Sequence, residues 1–286
     1  MEINFDNTTN YTRWLSSLDK RFGMPGKREL IVMFGFMASG KTEFTYFMAR
    51  KNAEKGNKVL YISLELPEYD MKLRIARKRA GVNKYDSQMK KYNDQQKLIM
   101  QEQFRKIDEQ PNLRIVSPDD KSLGAVMKLL RQWYDQGYKM YVIDNLDKIR
   151  PNQREDENTR YQRITTALQD FKNENDACIL LIHHAKKPDG KGFAYKPAWL
   201  AGMRWSQKIM DNATQVLEIY RDLDPDCEES ERNKVTITQM KDTFEWANWF
   251  VEILFHKGDY IESTTTGSSK TDRKKSNGKD DEEDPF

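Results

Sequence analysis

Five stretches of the chain are apolar almost without interruption and have the length of a strand: Leu30–Phe34, Lys58–Ser63, Leu113–Ser117, Met140–Asp144 and Ala177–His183. Between them the apolar residues change period. Leu123, Val126, Leu130 and Trp133 recur at spacings of three and four, as do Tyr161, Ile164, Leu168 and Phe171, which is the repeat of one helix face. Strands that are apolar throughout, separated by amphipathic helices, predict a mostly parallel twisted sheet with helices on both faces. After about Thr214 the pattern turns to strands alone. Val216–Tyr220, Val235–Met240, Trp249–Phe255 and Tyr260-Ile261 predict an antiparallel C-terminal extension of that sheet. The polar stretch 83–109 is expected to be helical and peripheral.

These elements divide the chain into three parts. Residues 1–27 read as a lead-in, with a short helix over Arg13–Phe22 and then the turn Gly23-Met24-Pro25-Gly26. Residues 28–262 form the α/β body. Residues 263–286 are Ser, Thr, Lys and acids with almost nothing to bury, and are expected to be disordered. The near balance of 48 basic against 45 acidic residues is too mild to establish a nucleic-acid partner, so any such reading rests on where the charge lies. No apolar run approaches the roughly 20 residues of a membrane helix. Cys178 and Cys227 are the only cysteines and make no disulfide framework, so a cytoplasmic setting is expected.

The chemistry starts after the first strand. Gly35-Phe36-Met37-Ala38-Ser39-Gly40-Lys41-Thr42 matches G-x-x-x-x-G-K-[ST], the Walker A pattern, between a strand and a helix that continues through Ala49. Such a loop wraps a phosphate in backbone N–H groups at a helix N-terminus, so Gly35, Ala38, Ser39, Gly40, Lys41 and Thr42 are the predicted nucleotide contacts. Lys41 is expected to neutralise β- and γ-phosphates, and Thr42 to hold magnesium. The predicted ligands are ATP and Mg2+ on a P-loop NTPase.

Asp144 ends the strand Met140–Ile143, where a carboxylate orients the magnesium shell in this class of site. Glu65 ends another strand and could take a proton from an attacking water; a solvated strand-end glutamate has the same look. His183 and His184 follow an apolar run, so one is expected to face the sheet's packing and the other the strand-end crevice. Spacing alone leaves a γ-phosphate contact, a structural histidine and a metal ligand open, although no Cys or carboxylate cluster accompanies the pair.

Over roughly residues 28–222, these segments together resemble the RecA-like motor domain of the DnaB family of replicative helicases, including the helicase part of phage primase-helicases. Ser63-Leu64-Glu65-Leu66-Pro67 is similar to the family's S-L-E-M-P segment, whose glutamate is catalytic, and the resemblance implies that role for Glu65. Val142-Ile143-Asp144-Asn145-Leu146 is similar to its Walker B strand, and Asn158-Thr159-Arg160 with Ile164 and Leu168 to the following helix. Ile182-His183-His184 falls where the family carries a Gln or His that senses γ-phosphate, which implies His184. Met203-Arg204-Trp205-Ser206, with Ile209, Ala213 and Val216–Asp222, is similar to the stretch ending L-Y-R-D. One strand departs from the pattern. The family's K-x-R, whose Arg reaches into the neighbouring subunit's nucleotide, is Lys241-Asp242-Thr243 here. That leaves Lys241 as the implied trans-acting cation, a point charge without the bidentate fork of Arg.

The implied activity is an ATP-dependent DNA helicase, a translocase on single-stranded DNA in replication, assembled as a hexameric ring and encoded by a phage. No collar or primase domain is recognisable, so ring contacts are expected from the lead-in helix and the core. DNA contacts are expected from Arg150 and Arg154 after the Walker B strand, and from Lys187, Lys191, Lys196 and Arg204 later, with Phe193 or Tyr195 stacking on bases. The acidic run Asp280–Asp284 before Pro285-Phe286 resembles the tip of bacterial single-stranded-DNA-binding protein tails and implies a replication partner that captures Phe286. Two other readings keep the fold: a strand-annealing or recombination ATPase without processive unwinding, and a signalling-type ATPase with only protein partners.

Overall fold

The computed structural model describes residues 11, 12, 15–185, 207–222, 224, 226–243 and 249–268. In chain order the principal elements are α1 (Ser16–Phe22), β1 (Glu29–Gly35), α2 (Lys41–Glu54), β2 (Val59–Ser63), α3 (Glu68–Ala80), α4 (Lys84–Gln88), α5 (Asp94–Asp108), β3 (Leu113–Val116), α6 (Leu123–Tyr134), β4 (Met140–Asp144), α7 (Glu157–Glu174), β5 (Cys178–His184), α8 (Gln207–Asn212), β6 (Gln215–Tyr220), β7 (Lys234–Asp242), β8 (Trp249–His256) and β9 (Asp259–Ser268). The strands form one nine-stranded sheet in the order β3-β2-β4-β5-β1-β6-β7-β8-β9. Pairings from β3 across to β6 are parallel, and β6 to β9 are antiparallel. This is the α/β architecture that the hydrophobic periods predict. β9 runs on past Glu262, where apolar residues cease and the sequence predicts disorder, because its backbone pairs with β8 as far as Ser268 opposite Trp249.

Strand alternation sorts the core into two layers. Ile31 and Met33 of β1 pack with Phe44, Phe47 and Met48 of α2 and with Leu18 and Phe22 of α1. Leu30, Val32 and Phe34 face the opposite layer, with Val126 and Leu130 of α6 and Ile164 and Leu168 of α7. The central parallel strands are buried on both sides, which is why their sequence shows no polar alternation. The stretch 83–109 supplies α4 and α5. Both open on asparagine caps, at Asn83 and Asn93, and α5 packs on α3 around a small cluster of Ala76, Val82 and Met100.

Register brings the C-terminal ends of four neighbouring strands to one edge. Gly35 lies beside His184, Ile143 beside Leu181, and Ser63 beside Asp144. Residues far apart in sequence thus share one crevice at the carboxyl ends of a parallel sheet, where such folds bind ligands.

The lead-in is fastened to the helix that the P-loop opens. Asn52 of α2 is fully buried; its Oδ1 accepts from the Thr12 backbone N–H at 3.1 Å and its Nδ2 donates to the Thr12 carbonyl at 2.7 Å. Replacing Asn52 with Ala strands both backbone groups in the interior. Asn52→Ala is therefore expected to cost about 3 kcal/mol of unfolding free energy in urea titrations; a loss within about 0.5 kcal/mol of zero would show that the segment is not held this way.

Candidate nucleotide-binding site

The loop between β1 and α2 can only be built with glycine at its two ends. A Cβ on Gly35 would lie 2.3 Å from the Ile219 carbonyl of the neighbouring strand, a backbone atom that cannot move aside. Gly40, the N-cap of α2, has φ 99°, a conformation that L side chains rarely adopt. Between them Ala38 is also held at positive φ, 66°, a strained choice of the kind found at ligand clamps. The loop delivers the first turn of α2 toward the crevice, with its N–H groups and positive dipole end foremost. From the other side Tyr260 of β9 donates to the Gly40 carbonyl at 3.2 Å and packs edge-on against Phe44 and Phe47.

Lys41 is 4% exposed. Its ammonium donates to the carbonyls of Gly35 at 2.7 Å and Phe36 at 2.6 Å. Burial pushes its pKa down to about 8, against the opposing pull of Asp144, Asp147, Glu65 and Glu43. Asp144 is 3% exposed, and burial raises its pKa against the Tyr61 and Thr42 hydroxyls. Tyr61, fully buried on β2, donates to Asp144 Oδ2 at 2.7 Å. The second oxygen, Oδ1, is buried and, like Ser39 Oγ, makes no hydrogen bond among the described residues. A buried carboxylate oxygen with no donor is costly, and a divalent cation shared by Asp144 and Thr42 would supply the missing charge. The residues therefore fit magnesium and a polyphosphate.

Glu65 and His184 face each other across the crevice, with His184 Nε2 3.6 Å from Glu65 Oε2. Burial, then the charge on Lys41, lowers the His184 pKa. His183 turns the other way, as strand alternation requires: its ring is buried edge-on against Tyr161 of α7, with Nδ1 3.1 Å from Asp147 Oδ1. No group of three or more His, Cys, Asp or Glu suited to holding a metal occurs among the described residues.

Several participants escape a reading of the sequence. Asp147 accepts from the Tyr161 hydroxyl at 2.8 Å and from the His184 backbone N–H at 3.0 Å. Burial works against its charge, yet these donors and the His183 ring hold it well below the usual carboxylate range. Glu43, next to Thr42, pairs with Arg74 at 2.8 Å and with Lys78 of α3. Asn145 links Glu65 to His184. The available signal was weak: a tyrosine in an otherwise apolar strand, and polar residues directly behind the Walker B aspartate, each needing a buried partner.

The other predicted residues stand apart. Lys241 does not join the group; its ammonium donates to the carbonyls of Met210 and of Ala213, the latter at 2.7 Å, closing the end of α8. Reaching a neighbouring subunit would first break these bonds. Arg150 pairs with Asp120 at 2.9 Å on the surface, and Arg154 is exposed in a turn at φ 61°. Lys187, Lys191, Lys196 and Arg204, with Phe193, Tyr195 and the Phe286 tip, lie outside the described residues.

Residues 12–246 match the DnaB-like helicase C terminal domain. The chain belongs to that family. Among solved structures, this DnaB-like chain is similar to the ATPase domain of G40P, with 18% identity and a TM-score of 0.78 over 91% of this chain and 93% of that one. It is also similar to a DnaB-like replicative helicase described with its interactions with primase (18% identity, TM-score 0.77), covering 90% of this chain but 62% of that one. The RadB recombinase shares the fold more distantly, at 15% identity and a TM-score of 0.56 over 88% of this chain and 99% of that one. No curated protein matches the chain in sequence. No helix among the described residues is long and apolar enough to cross a membrane.

The Asp147 network offers a check on the geometry. Its carboxyl is held below its unfolded pKa, so its contribution to stability is complete above about pH 4 and is lost as the pH falls. Asp147→Asn is expected to lower stability by about 2 kcal/mol at neutral pH. Urea unfolding should then show a narrower gap from wild type near pH 3.5; an equal or wider gap there would contradict the assignment.

Proposed function

We propose that this member of the DnaB-like family is the ATP-driven motor of a replicative helicase, a translocase on single-stranded DNA that works as a homo-oligomeric, hexameric ring in the cytoplasm of a phage-infected cell. The observation that carries the reading is the meeting of Lys41, Thr42, Asp144, Glu65 and His184 at the carboxyl ends of β1, β4, β2 and β5. That set contains a lysine for the phosphates, a hydroxyl and a carboxylate that would hold a divalent cation, and a carboxylate for water.

In this reading the backbone of residues 35–42 holds the phosphates and Lys41 exchanges its two loop carbonyls for phosphate oxygens. Asp144 and Thr42 would hold magnesium, which would supply positive charge against the negative charge that develops on the phosphate. Glu65, half-exposed at the end of its strand, accepts the proton of the attacking water. His184 reports the γ-phosphate to the segment that follows it, where Lys187, Lys191, Lys196 and Arg204 would track DNA phosphates with Arg150 and Arg154. The acidic tip would hand Phe286 to a replication partner.

The engagement of Lys241 within its own chain favours a second reading, a RecA-like ATPase for strand annealing or recombination, because a motor needs a cation that crosses between subunits.

Steady-state ATP hydrolysis with and without single-stranded DNA separates these. The motor predicts stimulation by the strand, no turnover in Lys41→Ala, and kcat lowered about 1,000-fold in Glu65→Gln with ATP affinity retained. Hydrolysis indifferent to the strand, or annealing that persists in Glu65→Gln, would discard it. The mass of the nucleotide-bound protein in solution tests the ring.

A further inference from the structure

Asn145 is fully buried, follows Asp144 directly, and has no part in the scheme above. Its Nδ2 lies 2.8 Å from Glu65 Oε2 and 2.8 Å from His184 Nε2. Glu65 follows β2 and His184 ends β5, so one amide spans residues from two strands with β4 between them. An amide nitrogen carries two protons and offers no acceptor. With nitrogen and oxygen exchanged, Oδ1 would meet the Glu65 carboxylate, two acceptors with no proton between them. The orientation is therefore settled by Glu65: one proton goes to its carboxylate and the other to His184.

Proton counting then fixes the histidine. Nε2 accepts from Asn145, so it holds a lone pair, and the ring proton sits on Nδ1. His184 Nδ1 is buried and makes no hydrogen bond among the described residues, so its proton remains to be offered to an incoming acceptor. Burial and the charge on Lys41 disfavour a doubly protonated ring and outweigh the opposing pull of Asp147 and Glu65.

We infer that Asn145 is a positioning residue, which holds the water-activating carboxylate of Glu65 and locks His184 as the neutral Nδ1–H tautomer through a single shared amide. The inference rests on the roles proposed above for Glu65 and His184. Asn145 acts only through them. A carboxylate at this position would invert both contacts: it would repel Glu65 and demand a proton on His184 Nε2.

The tautomer is measurable on the full chain without nucleotide, by long-range proton–nitrogen correlation NMR of 15N-labelled protein. The chain has three histidines, and the His184 signals are assigned by their loss in His184→Gln. Wild type is expected to show a protonated Nδ1 and a bare Nε2, and Asn145→Asp a proton on Nε2. In ATPase assays Asn145→Asp and Asn145→Ala should lose about 100-fold in kcat while KM for ATP stays within about threefold, because the phosphate-holding residues are untouched. An Nε2–H tautomer in wild type overturns the inference, and so does a folded Asn145→Asp with the wild-type tautomer or a kcat within about threefold of wild type. If neither variant folds, the wild-type spectrum still decides. Undiminished turnover in Lys41→Ala would instead sink the ATPase reading, and the nucleotide-free spectrum would then judge the Asn145 bridge alone.

Discussion

The ammonium of Lys41 sits in an interior that water barely reaches, with Asp144, Asp147, Glu65 and Glu43 arranged around it. A charge in such a place is expensive unless partners surround it. Two loop carbonyls and the surrounding acids meet that cost, and they come from three separate stretches of the chain. The parallel register of β1, β5, β4 and β2 is what makes them neighbours. The glycine that bends the loop, the tyrosine that holds Asp144 and the acid that anchors β5 all serve to keep opposite charges close without letting them collapse onto each other.

Support for this arrangement is layered. Tyr61 fixes one oxygen of Asp144, while the other is buried with no hydrogen-bond partner among the described residues. Asp147 ties the backbone of His184 to Tyr161 of α7, so the end of β5 is fastened to a helix of the layer on that face. Beneath the loop, Tyr260 and the aromatic rings of α2 form a rigid seat. The antiparallel extension, remote in sequence, thus contributes to the phosphate loop from the last strand described.

A second connection runs through α3. Glu43, adjacent to Thr42, is gripped by Arg74 and Lys78, and α3 begins directly after the Ser63–Pro67 segment that carries Glu65. Burial would raise the Glu43 pKa, but these two cations lower it. The carboxylate therefore stays charged and the pairing persists. Two ion pairs thus tie the start of α2 to α3, which begins three residues after Glu65.

The pattern of residues was enough to give the sheet, its helices, the glycine-flanked loop between β1 and α2 and the place of Asp144 at a strand end, because these depend on local rules: a period of two or 3.6, a loop that needs glycine, a helix that needs a cap. It also predicted that His183 and His184 would face opposite ways, since adjacent strand residues must. Which polar groups meet was not legible. Asn145 reaches Glu65 and His184, and Tyr61 reaches Asp144, only because strand order 2-4-5-1 and its register set them side by side, and no short window of sequence records that order; Arg74 reaches Glu43 only because it lies on α3 beside the start of α2. The same holds for Lys241, whose place at the end of α8 depends on β7 lying against β6. Local physics chose the elements; the packing of distant elements chose the partners of every buried charge.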